Sequence, residues 1–303
     1  MSSWLPQGEP NEYLYGPVAD YPLRGGRMFR PSVCIATGRA FGASIEELLP
    51  AAVSIELIHN ALLIHDDIED ESEERRGQPT LHKQVGTALA LNAGDSLALL
   101  SLRPIIEARN LLGSGLVLRI LEEFDHMAQQ TAEGQALDLG WRRDNVIDLR
   151  EEDYLKMVLK KTCWLTTLFP MRVGAMIGTQ DMVNLDSLFN FGFFLGAAFQ
   201  IQDDVLNLVG NHEKYGKELG GDLHEGKRTI MLVRLLELAS DSERAQIKEI
   251  LDTPREARSE DAVRWLHDSM MAKDCIEYAK EMANGLAGAA SPEFEKVFSP
   301  LPD

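Results

Sequence analysis

The sequence predicts an all-α fold, and three observations carry that prediction. Apolar residues recur at helical spacing through nearly every segment of the 303-residue chain. Alternating β-branched runs are scarce, and no Asn-Gly or Asp-Gly hairpin turn joins two of them. The joints between helical stretches are short and carry Gly, Pro, Asn or Asp. The length suffices to bury a large core, and nothing marks a split, so one domain over residues 27–303 is expected behind a loosely structured arm over 1–26.

That arm is rich in Pro, Gly and Tyr and weakly periodic, with room for a short helix. Gly25-Gly26-Arg27-Met28-Phe29-Arg30-Pro31 then sets two arginines behind a flexible turn, a geometry that grips an oxyanion or simply solvates two bases. Helical patterns run from Pro31 to about Phe41 and from Ile45 to Glu71, the second opened by a capping-box pair, Ser44 and Glu47. Arg75-Arg76-Gly77-Gln78-Pro79-Thr80 reads as a turn. Further helices are expected over about 82–109, 114–138, 148–178 and 184–210. A Gly-rich charged loop over 211–228 is long enough to be functional. Helices then resume over about 229–240, 243–252, 259–269 and 272–288, before a polar, Pro-containing tail.

The helix that organises the chain ends in Leu57-Ile58-His59-Asn60-Ala61-Leu62-Leu63-Ile64-His65-Asp66-Asp67-Ile68-Glu69-Asp70. It is apolar almost all round, so it belongs in the core. Its helical spacing sends Asp66, Asp67 and Asp70 off roughly one face. Buried acids need a metal, basic partners or an aqueous cavity. A second copy, Phe199-Gln200-Ile201-Gln202-Asp203-Asp204-Val205-Leu206-Asn207, again closes an apolar helix with paired aspartates and a later oxygen ligand. Gly192 and Gly196 upstream form a small-residue stripe where another helix could approach. Two such helix ends facing across a cavity would hold hard cations through oxygen, and Mg²⁺ so held usually bridges to phosphate.

Composition excludes several classes. Forty-eight acids against thirty bases give a formal charge of −18, which argues against nucleic acid or an anionic membrane surface as the partner. Three widely spaced cysteines, Cys34, Cys163 and Cys275, suit free thiols in a reducing compartment. No secretory leader and no uninterrupted apolar run of about 18 residues is present, so a cytoplasmic protein without stable membrane insertion is expected.

With both acidic helix ends, the Arg-Arg-Gly turn and the Gly-Lys loop in order, the chain resembles the trans-isoprenyl diphosphate synthases, the polyprenyl synthetase family, and within it the geranylgeranyl diphosphate synthases. The resemblance runs from about Gly25 to about Leu232. Asp66 to Pro79 looks like the first aspartate-rich motif with its arginine pair, and Phe199 to Asn207 like the second. Gly134-Gln135-Ala136-Leu137-Asp138, Lys161-Thr162, Lys217 and Gly226-Lys227-Arg228-Thr229 are similar to shorter signatures. The resemblance implies an isoprenoid synthase-type helical bundle around a central cavity, forming a homodimer. It implies condensation of isopentenyl diphosphate with an allylic diphosphate, using Mg²⁺ at about three ions per active site. By the same resemblance Asp66, Asp70 and Asp203 ligate metal, with Asp67, Asp204 and Asn207 doing so directly or through water. Arg75, Lys161 with Thr162, Lys217 and Lys227 contact the allylic diphosphate. Gln200, one turn before Asp204, either borders the cation or is a core amide. Arg27, Arg30, His59 and Arg76 hold isopentenyl diphosphate.

Four positions depart from the family pattern: Arg27 stands for the usual Lys and Met28 for a common Arg, Asn207 replaces an Asp frequent in short-chain members, and Trp164 is bulkier than expected. Product length should follow from Ala61 and Leu62, which lie where a bulky aromatic would stop a growing tail early; without one, twenty carbons is the expected product. Two alternatives share the scaffold: a class I terpene cyclase or diphosphate lyase, and a non-catalytic subunit of a heteromeric prenyltransferase.

Overall fold

The computed structural model describes residues 2–210 and 220–301. Among them the only strands are the two-residue β1 (Glu74–Arg75) and β2 (Gln78–Pro79), and everything else regular is helical. The chain comprises two compact units. The first comprises Met1–Gln129, Leu165–Gly192 and Phe294–Asp303, and the second Gln130–Trp164 and Phe193–Glu293.

In the first unit the N-terminal segment is more ordered than its composition suggests. A π-helical turn over Asn11–Tyr15 leads into α1 (Gly16–Leu23), which buries Val18 and Tyr21. Pro17 is tolerated there because a first-turn residue has no intrahelical partner for its N–H. α2 (Phe29–Ala40) follows, then α3 (Ile45–Glu69), which starts with the expected capping box: Glu47 N–H donates to Ser44 Oγ at 3.3 Å and Ser44 N–H to Glu47 Oε2 at 2.8 Å. Leu48, Ile55, Leu57, Ile58, Ala61 and Ile64 are all buried on several faces of α3, as a helix without a polar side requires. α3 packs against α2, against α5 (Thr87–Leu100) and against α10 (Phe169–Thr179).

The predicted helix over 82–109 is instead four: α4 (Leu81–Val85), α5, α6 (Arg103–Glu107) and α7 (Arg109–Leu112). Gly86, at φ +83°, breaks the first, and Pro104 opens α6 because it can start a helix but not continue one. α8 (Ser114–Arg143) runs further than expected. The segment over 148–178 is α9 (Glu151–Val158), a π-helical stretch over Leu159–Leu168, and then α10. Pro170 lacks the N–H that an α ladder would need at this junction. Gly192 meets Leu168 and Met171 so closely that a Cβ there would lie 2.5 Å from Leu168 Cδ2, which is the helix approach its small size predicts.

The second unit contains the later part of α11 (Phe189–Val209), then α12 (Gly221–Glu225), α13 (Ile230–Leu238), α14 (Asp241–Asp252), α15 (Glu260–Ala272) and most of α16 (Cys275–Phe298). α14 opens on a second capping box, Ser240 with Glu243. α9 packs on α13, and α15 on α12 and α13.

Candidate active site

In the first unit the site is built on the C-terminal end of α3. Successive residues on a helix turn by about 100°, so the paired aspartates separate: Asp66 keeps 23% of its side chain exposed while Asp67 has none. Asp70 is buried. Asp67 meets Arg75, whose Nε lies 3.1 and 3.0 Å from its two oxygens and whose Nη2 also donates to Oδ1. Tyr21 Oη donates to Asp67 Oδ2 at 2.6 Å. Sequence spacing alone offers Asp67 as a metal ligand, but here both its oxygens serve Arg75 and Tyr21. A buried carboxylate without these partners would be strongly disfavoured. Burial opposes the charge on Arg75, and Asp67 more than offsets it, so the guanidinium is held firmly protonated. Arg75 Nη1 makes no hydrogen bond among the described residues, which leaves one edge of the fork for an anion.

The turn between β1 and β2 puts Arg75 there. Its two central residues, Arg76 and Gly77, have φ of +56° and +72°, the pattern of a tight two-residue hairpin. Glycine takes that conformation without strain, and Arg76 is held in it by Nη1 bonds to the Tyr21 carbonyl at 2.8 Å and to Asn60 Oδ1 at 3.2 Å. Arg24 ties α1 to the same hairpin, donating to the carbonyls of Arg75 and Pro79 at 2.9 Å each.

Beside Arg76 lies a basic group around Glu56, a buried acid. Asn60 Nδ2 donates to Glu56 Oε1 at 3.0 Å, and His59 Nδ1 lies 3.8 Å from the same oxygen. Burial disfavours the Glu56 charge, but His59, Asn60 and Arg30 outweigh it and hold the carboxyl below its ordinary range. Burial and the Arg30 charge push the His59 imidazole down to about 4, so it is neutral at pH 7 and donates a single N–H. Arg30, His59 and Arg76 are thus brought together, while Arg27 is exposed. Ala61 is fully buried and Leu62 half-buried.

In the second unit α11 supplies Asp203, half-buried, and Asp204, buried. Tyr154 Oη and Gln200 Nε2 each donate to Asp204 at 2.7 Å, and Thr162 Oγ1 donates to Gln200 Oε1 at 2.8 Å. Gln200 therefore orients Asp204. Burial, then the charges of Asp222 and Asp203, push the Asp204 pKa up against those hydrogen bonds. Lys161 Nζ sits 2.7 Å from Asp138 Oδ2, with Arg142 Nε 3.9 Å from Oδ1. Gly134 allows this: a Cβ there would lie 2.2 Å from the Lys161 backbone nitrogen, so only glycine lets α8 lie against the π-helical stretch. Lys227 Nζ pairs with Glu225 at 2.7 Å and Asp222 at 3.5 Å. Asn207, offered by its spacing as a ligand, accepts the Asp222 N–H on Oδ1 at 3.1 Å and so fastens α12. Lys217 lies outside the described residues.

Among the described residues no three acidic, histidine or cysteine side chains already converge as a metal cage. The donors nonetheless fit a hard divalent cation: all are oxygens, and the repulsion that raises Asp204 is what such a cation would relieve. Tyr21, Arg24, Glu56, Asn60, Tyr154 and Asp222 are not singled out by sequence motifs. Only the helical spacing of Val18, Tyr21 and Pro22 in α1 hints at the first of them.

The profile of the polyprenyl synthetase family matches residues 11–270. The chain is 34% identical over 274 residues to a short chain isoprenyl diphosphate synthase from Methanocaldococcus jannaschii, covering 90% of this chain and 80% of that protein. Its structure is similar to that of a geranylgeranyl pyrophosphate synthetase from Pyrococcus horikoshii, with TM-score 0.85 and 32% identity, covering 99% of this chain and 88% of that one. A geranylgeranyl pyrophosphate synthase from Corynebacterium glutamicum, complexed with isoprenyl diphosphate and magnesium, matches with TM-score 0.86 and 25% identity over 98% of this chain and 87% of that one.

Proposed function

Because the chain belongs to the polyprenyl synthetase family and is an enzyme of isoprenyl diphosphate chain elongation, we propose that it condenses isopentenyl diphosphate with an allylic diphosphate to give all-trans geranylgeranyl diphosphate. The observation that carries this reading is the group of Arg30, His59 and Arg76 in the first unit, distinct from the acidic end of α3. Bases apart from a cation site suit a second diphosphate that needs no metal, which a cyclase or lyase acting on one substrate does not require.

In the reaction the allylic C–O bond breaks, the electron pair leaves with the diphosphate, and the isopentenyl double bond attacks the cation. A proton then leaves to restore an alkene, and the released diphosphate can accept it. In the first unit Asp66 and Asp70 would hold Mg²⁺, with Arg75 on an allylic diphosphate. In the second, Asp203 and Asp204 would hold Mg²⁺, with Lys161, Thr162 and Lys227 on a diphosphate. Bound Mg²⁺ neutralises the charge that gathers on the leaving group. Asp67 and Gln200 act through Arg75 and Asp204, which they orient.

The test is to incubate the purified protein with Mg²⁺ and farnesyl diphosphate, with and without isopentenyl diphosphate, and chromatograph the dephosphorylated products. Geranylgeraniol formed only with both substrates supports the reading. A hydrocarbon or alcohol from farnesyl diphosphate alone would make the chain a cyclase or lyase, and no turnover would leave the non-catalytic subunit.

Twenty carbons rests on the absence of an aromatic at positions 61 and 62. Leu62→Phe, at the half-buried position, is expected to shift the main product towards fifteen carbons; an unchanged product would remove this assignment of the floor. Ala61→Phe should shorten the product too, but filling a sealed position also costs about 1–3 kcal/mol of stability.

A homodimer is the proposed state of assembly. α5 to α7 expose Leu91, Leu99, Ile106 and Leu111, a segment apolar enough in length and composition to cross a membrane yet broken into separate helices. α3 is likewise long and apolar enough, and it is a core helix. Leu99 is 73% exposed, so Leu99→Asp should leave an isolated subunit folded. Light scattering is expected to show a dimer for the wild type and a marked shift to monomer for the variant; equal masses would place the interface elsewhere.

A further inference from the structure

We infer that Tyr21 is a positioning residue that sets both arginines of the hairpin, Arg75 through Asp67 by its hydroxyl and Arg76 directly by its own carbonyl. The inference rests on the two-diphosphate reading above. Tyr21 is 1% exposed and Asp67 wholly buried, so water cannot replace the bond between them. The hydroxyl has little freedom, because it donates to Asp67 Oδ2 at 2.6 Å while accepting the Leu81 N–H at 3.1 Å. Its proton is secure: burial, then the Asp67 charge, raise the phenol's pKa far above neutral. Asp67 Oδ2 is the oxygen that Arg75 Nε also approaches, at 3.0 Å, so the phenol fixes the rotamer of the carboxylate that fixes the guanidinium.

The second arm is the main chain. The Tyr21 carbonyl accepts from Arg76 Nη1 at 2.8 Å, and Asn60 shares that nitrogen at 3.2 Å. Arg76 is in the left-handed backbone region, which for a non-glycine residue persists only when surrounding contacts hold it. Arg24, stacked over the Tyr21 ring at 4.5 Å and bonded to the hairpin carbonyls, keeps α1 in register with the hairpin. One residue of an N-terminal helix therefore sets the side chain assigned to the allylic diphosphate and the side chain assigned to isopentenyl diphosphate.

The two arms are chemically separable, which makes the inference testable. Tyr21→Phe removes the hydroxyl but keeps the ring, the stacking and the carbonyl. The expected result is a rise of roughly tenfold in KM for the allylic diphosphate with a lower kcat, and a KM for isopentenyl diphosphate within about twofold of wild type. Asn60→Ala, which removes a bond to Arg76 and a donor to Glu56 but no bond to Arg75, should do the reverse. A cycle with Asp67→Asn gives an independent reading: Tyr21→Phe should add little once the carboxylate charge is gone. If Tyr21→Phe lowers only the melting temperature and leaves both KM values alone, or if it is fully additive with Asp67→Asn, the inference is overturned. Failure of the two-diphosphate reading looks different, since the wild type itself would then form no elongated product.

Discussion

Arg75→Ala is expected to cost about 3–5 kcal/mol of folding stability, because it strands the fully buried Asp67 carboxylate without its cation. The Tyr21 hydroxyl alone cannot supply the missing charge. Urea unfolding at a fixed protein concentration, which matters if a dimer forms, should show a much lower midpoint with an unchanged slope. The double variant Asp67→Asn with Arg75→Met should recover most of that stability, since removing both charges of a buried pair is often neutral, yet should not recover elongation. A loss below about 1 kcal/mol for Arg75→Ala would mean that Asp67 takes up a proton or finds another cation.

The second large effect is on rate. Asp66→Asn and Asp203→Asn should each lower kcat on the order of 10²- to 10³-fold, the scale seen when one group that stabilises developing charge is removed. Both residues are partly exposed, so the change should be nearly silent in stability and should raise the Mg²⁺ concentration needed for half-maximal rate. Steady-state kinetics across a Mg²⁺ titration measures both. Near-normal kcat and Mg²⁺ dependence for either variant would take that carboxylate out of the cation site. The contrast with Arg75→Ala is diagnostic: losing Arg75 costs stability as well as elongation, whereas losing an accessible acid costs rate alone.

Much of this was legible before any coordinates. The capping box at Ser44, the all-round apolarity of α3 and the acids closing α3 and α11 are local patterns, and each fixes a helix or its end by interactions within about one turn. The ordered motifs also name Arg30, His59 and Arg76, which the structure brings together. What escaped was non-local. Residues 1–26 looked loose because Pro17, Pro22 and the glycines weaken any periodicity, whereas α1 is stabilised by partners 46 to 60 residues away, namely Asp67, Arg76 and Leu81. The breaks at Gly86 and around Ser101, and the π-helical stretch that carries Lys161, likewise interrupt patterns whose apolar spacing reads through them.

The sequence by itself determined most of the helical segments, the burial of α3, and which acids close α3 and α11, because those properties depend on neighbours along the chain. Only the tertiary structure decided how the paired acids divide their work. Asp66 and Asp203 stay accessible, while Asp67 turns to Arg75 and Tyr21, and Asp204 to Tyr154 and Gln200. The physical reason is that a buried carboxylate takes whichever donors the fold brings within hydrogen-bond reach, and those donors come from helices and a hairpin distant in sequence.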